Sequence, residues 1–366
     1  MISPARDAAF RVLLKVEGGG YASDLLRRET LLGHTKLDVR DAGLAETIVF
    51  GCLRYQAQLD WLIEKTASRP KLDAEVRIAL RMGVYQLRYL DRIPPHAAVS
   101  ESVELVKRAK KESAAGFVNG VLRSVLRKGS REAIKWPDLA TELSVPSWMM
   151  ERWRRQYGEE AAMKIARAAL EEPVTPVNPE TGRQQDVGAQ SVVPLLDLQP
   201  GMTLLDLCAA PGNKAAQALA AGARVIACDR YEKRLADVPG EAERVVLDAS
   251  QSLPFGGPNW VRFDRILVDA PCSGTGTLAR NPEIKWRLRE TDLPRFQELQ
   301  RRILKNALAC LAPGGRLVYA TCSLESEENE NIVAGLPVLE TQTRLPGRDS
   351  GDGFFAAVIT LNESRG

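Results

Sequence analysis

Three hydrophobic runs without polar alternation, residues 202–208 (MTLLDLC), 265–270 (RILVDA) and 316–321 (RLVYAT), constrain this chain more than any other feature. A strand with one wet face alternates apolar and polar residues. Runs such as these need apolar cover on both faces, which means a parallel sheet inside an α/β domain. In such sheets ligands bind in the crevice outside the carboxyl ends of the strands. Each run here leads into a chemically distinctive string: LCAAPGNK at 207–214, DAPC at 269–272 and ATCS at 320–323. Cys272 and Cys322 are therefore expected to face one pocket.

The chain has 366 residues, and at ~150 residues per domain it should form two. No apolar stretch approaches the ~18 residues needed to span a bilayer, so no membrane association is expected. The first ten residues, MISPARDAAF, hold no hydrophobic signal core, and the expected compartment is the cytoplasm. The six cysteines show no CxxC spacing, and His34 and His96 are the only histidines, so no metal site is expected. In a reducing compartment the thiols stay free for thiolate chemistry.

Formal charge is unevenly spread. Residues 1–160 carry 27 Lys/Arg against 21 Asp/Glu, and residues 161–366 carry 23 against 26. Lys107, Arg108, Lys110, Lys111, Arg123, Arg127, Lys128, Arg131 and Lys135 crowd one stretch that holds only Glu112 and Glu132 as acids. This is either a footprint for nucleic acid or a solvated helix face.

Residues 1 to about 135 read as a helical bundle. Ser3 is placed as N-cap with Pro4 at the first helical position, and apolar residues recur at three and four in DAAFRVLLKV, AGLAETIVFGCLRY and AEVRIALRMGVYQLRYL. A second helical stretch from Pro146 to about Leu170 leads into prolines at 173, 176 and 179, which suit a linker. Strands are then expected at 202–208, 224–228, 243–247, 263–269, 315–321 and 354–361, alternating with helices. The clearest helix runs from about Asp292 to Leu311 and is stopped by Pro313-Gly314-Gly315. Cys228 and Cys310 read as buried small hydrophobes.

The loop from Cys208 to Lys214 joins a strand to a helix, where backbone N–H groups and the helix N-terminus favour a negatively charged group. Asp229 ends the next strand, where a carboxylate commonly binds ribose hydroxyls. A dinucleotide site would prefer G-x-G-x-x-G. The loop C-A-A-P-G-N-K suits a cofactor with a ribose and no pyrophosphate, and S-adenosylmethionine is the natural candidate, with Asp248 placed to contact adenine.

Two cysteines at one pocket suit methyl transfer to carbon 5 of cytosine. That carbon is a weak nucleophile until a thiolate adds at carbon 6, and a second thiol can assist release. A thiol of ordinary pKa ~8.5 needs nearby positive charge, for which Lys214 and the cofactor sulfonium are available. Asp269 is expected to hydrogen-bond cytosine N3 if a desolvated pocket keeps it protonated.

The strings DLCAAPGNK, RILVDAPCSGTG, NPEIKW, YATCS with EEN, and GDGFF closely resemble the RsmB/Sun (Fmu) family of ribosomal RNA cytosine-5 methyltransferases. IPPHAAVSESVELVK at 93–107 and GFVNGVLR at 116–123 resemble that family's NusB-like helical domain. The resemblance implies an all-α NusB-like bundle followed by an α/β, Rossmann-like S-adenosylmethionine-dependent methyltransferase domain. By it, Cys322 is the nucleophile, Cys272 the release cysteine and Asp269 the cytosine-contacting acid. Cofactor contacts fall to Cys208, Ala209, Ala210, Pro211, Gly212, Asn213, Lys214, Asp229, Asp248 and Asp269. The implied substrate is RNA, foremost 16S ribosomal RNA, and the protein is expected to be a monomer. A transfer RNA substrate, or an RNA-binding ribosome-assembly factor with a weakened methyltransferase domain, are the alternatives.

The expected boundaries are 1–135 for the helical RNA-binding domain, 136–184 for a helical connector and linker, and 185–366 for the methyltransferase domain. The chain departs from the family pattern in three places. Asn213 stands where the family has a second glycine, a position Asn tolerates if φ is positive. Val177-Asn178 and Gln185-Asp186 are too close to enclose the family's small RNA-binding subdomain. The stretches 229–248 and 331–353 are short.

Overall fold

The computed structural model describes residues 2–32, 37–67, 71–128, 134–255 and 262–361. Of the residues singled out above, His34, Arg131 and Glu132 lie outside the described residues. Among those described, no helix is long and apolar enough to cross a membrane. The chain divides into two compact units, Met1–Gln156 with Asn281–Arg287, and Tyr157–Arg280 with Leu288–Gly366.

The first unit is helical: α1 (Pro4–Glu17), α2 (Ala22–Leu32), α3 (Val39–Arg54), α4 (Gln56–Thr66), α5 (Ala74–Tyr89), α6 (Pro95–Arg108), α7 (Ala115–Arg127), α8 (Leu139–Glu142) and α9 (Ser147–Tyr157). Its centre is α5, buried continuously from Val76 to Leu87 except at Arg77. Close helix contact dictates residue choice, because a Cβ on Gly51 of α3 would lie 1.9 Å from the Tyr85 ring of α5. Pro4 opens α1 as expected, but Ser3 makes no side-chain cap. Its hydroxyl donates instead to Glu101 Oε2 at 2.7 Å, a charged acceptor that outcompetes the helix end. The string NPEIKW belongs to this unit. The Trp286 indole N–H donates to Leu53 O at 2.7 Å, and the buried Lys285 ammonium donates to Arg54 O at 2.8 Å.

The second unit holds α10 (Glu159–Ala168), α11 (Val187–Gln190), α12 (Asn213–Ala220), α13 (Glu232–Leu235), α15 (Leu293–Cys310) and α16 (Glu330–Val333), with the short α14 (Ile284–Arg287) falling in the first. Its seven strands are β1 (Thr203–Asp206), β2 (Arg224–Asp229), β3 (Glu243–Val246), β4 (Phe263–Asp269), β5 (Leu311–Thr321), β6 (Val338–Arg344) and β7 (Phe354–Thr360). They form one sheet ordered β3-β2-β1-β4-β5-β7-β6, parallel from β3 to β5, with β7 antiparallel to β5 and β6.

Both faces are dry. Leu204, Leu267 and Val318 pack with Ala215 and Ala218 of α12, while their strand neighbours Leu205, Val268 and Tyr319 pack with Ile303, Leu304 and Cys310 of α15. That is why the runs carry no polar alternation, and each buried Leu or Ile contributes about 1.5–3 kcal/mol. Cys228 and Cys310 are buried, as expected.

The six expected strands are present. The seventh, β6, escaped sequence reading because it lies at the sheet edge and is largely exposed, with the polar run Glu340-Thr341-Gln342-Thr343 at its centre. Helix α15 ends at Cys310, but Pro313-Gly314-Gly315 sits inside β5 rather than before it. The glycines instead make a bulge, where the register jumps from Phe263↔Leu311 to Arg265↔Arg316 and Gly314 has φ of 71°.

Candidate active site

The loop after β1 turns at Gly212, whose φ is 97° and where a Cβ would lie 2.7 Å from Val238 Cα. Only glycine fits there. Asn213, by contrast, begins α12 and carries no positive φ, so the Asn-for-Gly departure meets no backbone demand. Its side chain is employed: Oδ1 accepts from Arg183 Nε at 2.8 Å and Nδ2 donates to Gln184 O at 3.2 Å, tying the tight turn at 178–183 to the loop.

Beside this loop lies a cavity of about 210 Å³, bounded by Asp206, Cys208, Pro211, Lys214, Asp269 and Arg280 among others. The strand-end carboxylates Asp229 and Asp248 stand outside its lining. Asp229 accepts from Tyr231 N at 2.9 Å, and Asp248 accepts from Ser250 N at 3.0 Å and Ser250 Oγ at 2.7 Å. The Ser250 hydrogen bond holds the Asp248 carboxyl below its ordinary range.

Asp269 is not the isolated buried acid the sequence suggested. Lys214 Nζ donates to its Oδ2 at 2.6 Å. Burial lowers the Lys214 ammonium, but the charge and hydrogen bond of Asp269, with Asp206 and Cys322, outweigh it and leave Lys214 above its ordinary value. The carboxyl that burial acts on most clearly here is Asp206. It is 1% exposed, is pushed up to about 7 by desolvation and then by Asp269, and leaves Oδ2 without a hydrogen-bond partner. Its sequence signal was a lone charge inside an apolar run.

The ends of β4 and β5 bring the two cysteines together, with Cys272 Sγ 3.3 Å from Cys322 Sγ. Both are partly exposed. The hydrogen bond to Cys322, then burial, push the Cys272 thiol well above its ordinary value. Behind them lies a buried polar network that the sequence signalled only through the string EEN. Glu328 accepts from Ser273 N and Gln300 Nε2, each at 2.9 Å, and from the hydroxyls of Ser273 and Ser323. Asn329 accepts from Thr321 Oγ1 at 2.5 Å and donates to Ser323 O at 2.9 Å. Gly276 N donates to Cys322 O at 2.9 Å.

Arg280, also unforeseen, donates to Asp186 at 2.7 Å and Asp352 at 2.6 Å. These bonds hold the linker and the GDG turn together. No cluster of metal ligands occurs among the described residues.

A seven-stranded sheet of this order, with a glycine turn after β1 and cysteines after β4 and β5, defines a Rossmann-like methyltransferase. Sequence profiles match residues 193–337 to the family described as 16S rRNA methyltransferase RsmB/F and residues 3–127 to the NusB family. Ribosomal RNA small subunit methyltransferase B of Klebsiella pneumoniae (strain 342) is 33% identical over 393 residues, covering 88% of this chain and 91% of that protein. The same enzyme of Shigella boydii serotype 4 (strain Sb227) is 34% identical at the same coverage. Among solved structures, PH0851 superposes with a TM-score of 0.76 at 20% identity, over 98% of this chain and 99% of that one, a likeness of fold. A methyltransferase homolog from Pyrococcus horikoshii gives 0.50 at 26% identity, over 61% of this chain and 97% of that one. The chain belongs to the RsmB/F family of 16S rRNA methyltransferases.

Proposed function

We propose that this protein methylates carbon 5 of a cytosine in RNA, foremost 16S ribosomal RNA, through a covalent bond between Cys322 and carbon 6, with S-adenosylmethionine as methyl donor. The observation that carries the reading is the pair of sulfurs 3.3 Å apart at the ends of β4 and β5, beside the Lys214–Asp269 ion pair.

The cavity beside the glycine turn fits the cofactor. The unpartnered Asp206 Oδ2, in a residue that lines it, suits accepting from an ammonium group. Cys208 to Lys214 would hold the methionine portion, with Asp229 and Asp248 reaching the ribose and adenine. When bound, S-adenosylmethionine supplies an electrophilic methyl group on a sulfonium centre.

The target base must leave its stack to enter the pocket. Cys322 as thiolate adds to carbon 6 and makes carbon 5 nucleophilic. After methylation a base takes the proton from carbon 5, the electron pair left behind restores the ring double bond and expels the Cys322 thiolate, and Cys272, which keeps its own proton, assists the release by donating to the departing sulfur. Lys214 keeps positive charge beside Cys322. Asp269, with Lys214 against it, suits accepting from the exocyclic amine of cytosine.

The helical unit, with its basic stretch within residues 1–135, would bind the RNA, residues 136–184 would connect it, and a monomer acting in the cytoplasm suits this substrate. The test is labelled methyl transfer to 16S RNA from cells lacking the enzyme, followed by mapping of the product base. A 5-methylcytosine in that RNA supports the reading. Transfer to transfer RNA alone, or no measurable S-adenosylmethionine binding, would overturn it in favour of another substrate or an assembly factor.

A further inference from the structure

The Glu328 carboxylate is fully buried, and the ion pairs of the described residues include none to it. It is satisfied by neutral donors, from the peptide N–H and hydroxyl of Ser273, the hydroxyl of Ser323 and the amide of Gln300. The first of these belongs to the peptide bond that follows Cys272. Ser323 follows Cys322, and Gln300 also donates to Pro271 O at 2.9 Å, just before Cys272. One side chain thus fastens both cysteine loops. Desolvating a carboxylate is costly, so a merely structural staple would be better made from a neutral amide.

The charges around the sulfurs are asymmetric. Lys214 acts on the Cys322 side, and Glu328 acts on Cys272. Among the ionisable groups nearby, Asp269 on β4 and Asp206 at the end of β1 act on Lys214, Cys208 acts on Tyr319 of β5, and the Tyr319 hydroxyl donates to Glu328 O at 2.7 Å. Asp206 and Asp269 are tempered by Lys214. Glu325, close in sequence, acts on Tyr157.

We propose that Glu328 is a positioning residue that locks the two cysteine loops in register and, by its negative charge, confines the proton of the thiol pair to Cys272, leaving Cys322 as the thiolate. This deepens the reading of the site as a two-cysteine methyltransferase and rests on it. The proton balance is internal: Cys272 Sγ–H donates to Cys322 S⁻, and no oxidant or further reactant is needed.

The test needs neither RNA nor cofactor. Iodoacetamide alkylation of the full-length protein is followed against pH, with each cysteine read separately by peptide mass spectrometry. Cys272 is measured in a Cys322→Ser background and Cys322 in a Cys272→Ser background, with and without Glu328→Gln. The expected result is that Glu328→Gln lowers the Cys272 midpoint by about one pH unit or more and moves Cys322 less than half as far. Equal shifts, a larger shift at Cys322, or none in a folded variant would overturn the proposal.

Should Glu328→Gln fail to fold, the unsubstituted protein still decides. With limiting reagent at pH 7, Cys322 must alkylate faster than Cys272, and equal or reversed rates overturn the proposal. If the alkylation order holds while no RNA is methylated, the enzymatic reading falls and the charge arrangement stands. Methylation with a reversed order has the opposite meaning.

Discussion

Replacing one sulfur by oxygen separates the two cysteines chemically. Cys322→Ser is expected to abolish methyl transfer and leave no protein–RNA adduct, because a serine hydroxyl is too weakly acidic to attack carbon 6. Cys272→Ser should instead accumulate an adduct stable to denaturant, seen as a shifted band on a denaturing gel. Interchanged bands would reverse the assignment. Asp206 makes a different prediction. Its folded-state value of about 7 lies above the ordinary carboxyl value of 3.8, so the folded protein binds the extra proton. The stability this group supplies is fully present below about pH 4 and is lost as pH rises through 7. Asp206→Asn should therefore match the parent protein at low pH and become more stable than it, by on the order of a few kcal/mol, above pH 7. Parallel thermal melts across that range check this, and a pH-independent difference would count against a buried neutral acid.

At the scale of elements, the loops after β4 and β5 meet across glycine backbone. A Cβ on Gly276 would lie 2.4 Å from Gly353 O and 2.8 Å from Cys322 O, neither of which is a flexible side-chain end. Gly276→Ala should shift the Cys322 loop by a few tenths of an ångström to 1 Å. It is expected to lower the rate of methyl transfer by about 10- to 100-fold while the protein stays folded. Single-turnover kinetics with a circular dichroism melt would show it, and an unchanged rate would mean that the loop has slack. Here the sequence was informative about strands and uninformative about their neighbours. Runs such as RILVDA announced buried strands because burial on both faces leaves a composition that can be read directly. The edge strand β6 left no such trace, since pairing with β7 alone lets Glu340, Thr341 and Gln342 face solvent.

For the whole molecule, the basic stretch of the helical unit divides into two kinds of cation. Lys107 is paired with Glu104, Arg108 with Asp7 and Lys111 with Asp73, whereas Arg127 and Lys128 are exposed at the end of α7 with no ion pair among the described residues. Replacing Arg127 and Lys128 together by Ala should weaken RNA binding across sequences and reduce the salt slope by about 0.7–0.9 per lost phosphate contact. S-adenosylmethionine binding should be unchanged. Filter binding over a salt series tests this, and an unaltered slope would place the RNA elsewhere.

The linear chain by itself determined the division into helical and α/β parts, the positions of Cys272, Cys322 and the Cys208–Lys214 loop, and the class of enzyme. Those properties follow from local periodicity, turn residues and strings that sit at strand ends. Only the tertiary structure decided that Lys214 lies against Asp269, that burial pushes the Asp206 carboxyl up, and that Glu328 fastens both cysteine loops. The reason is physical: a side chain's charge state depends on desolvation and on partners brought near by folding, and neither distance in space nor loss of water is written in the order of residues.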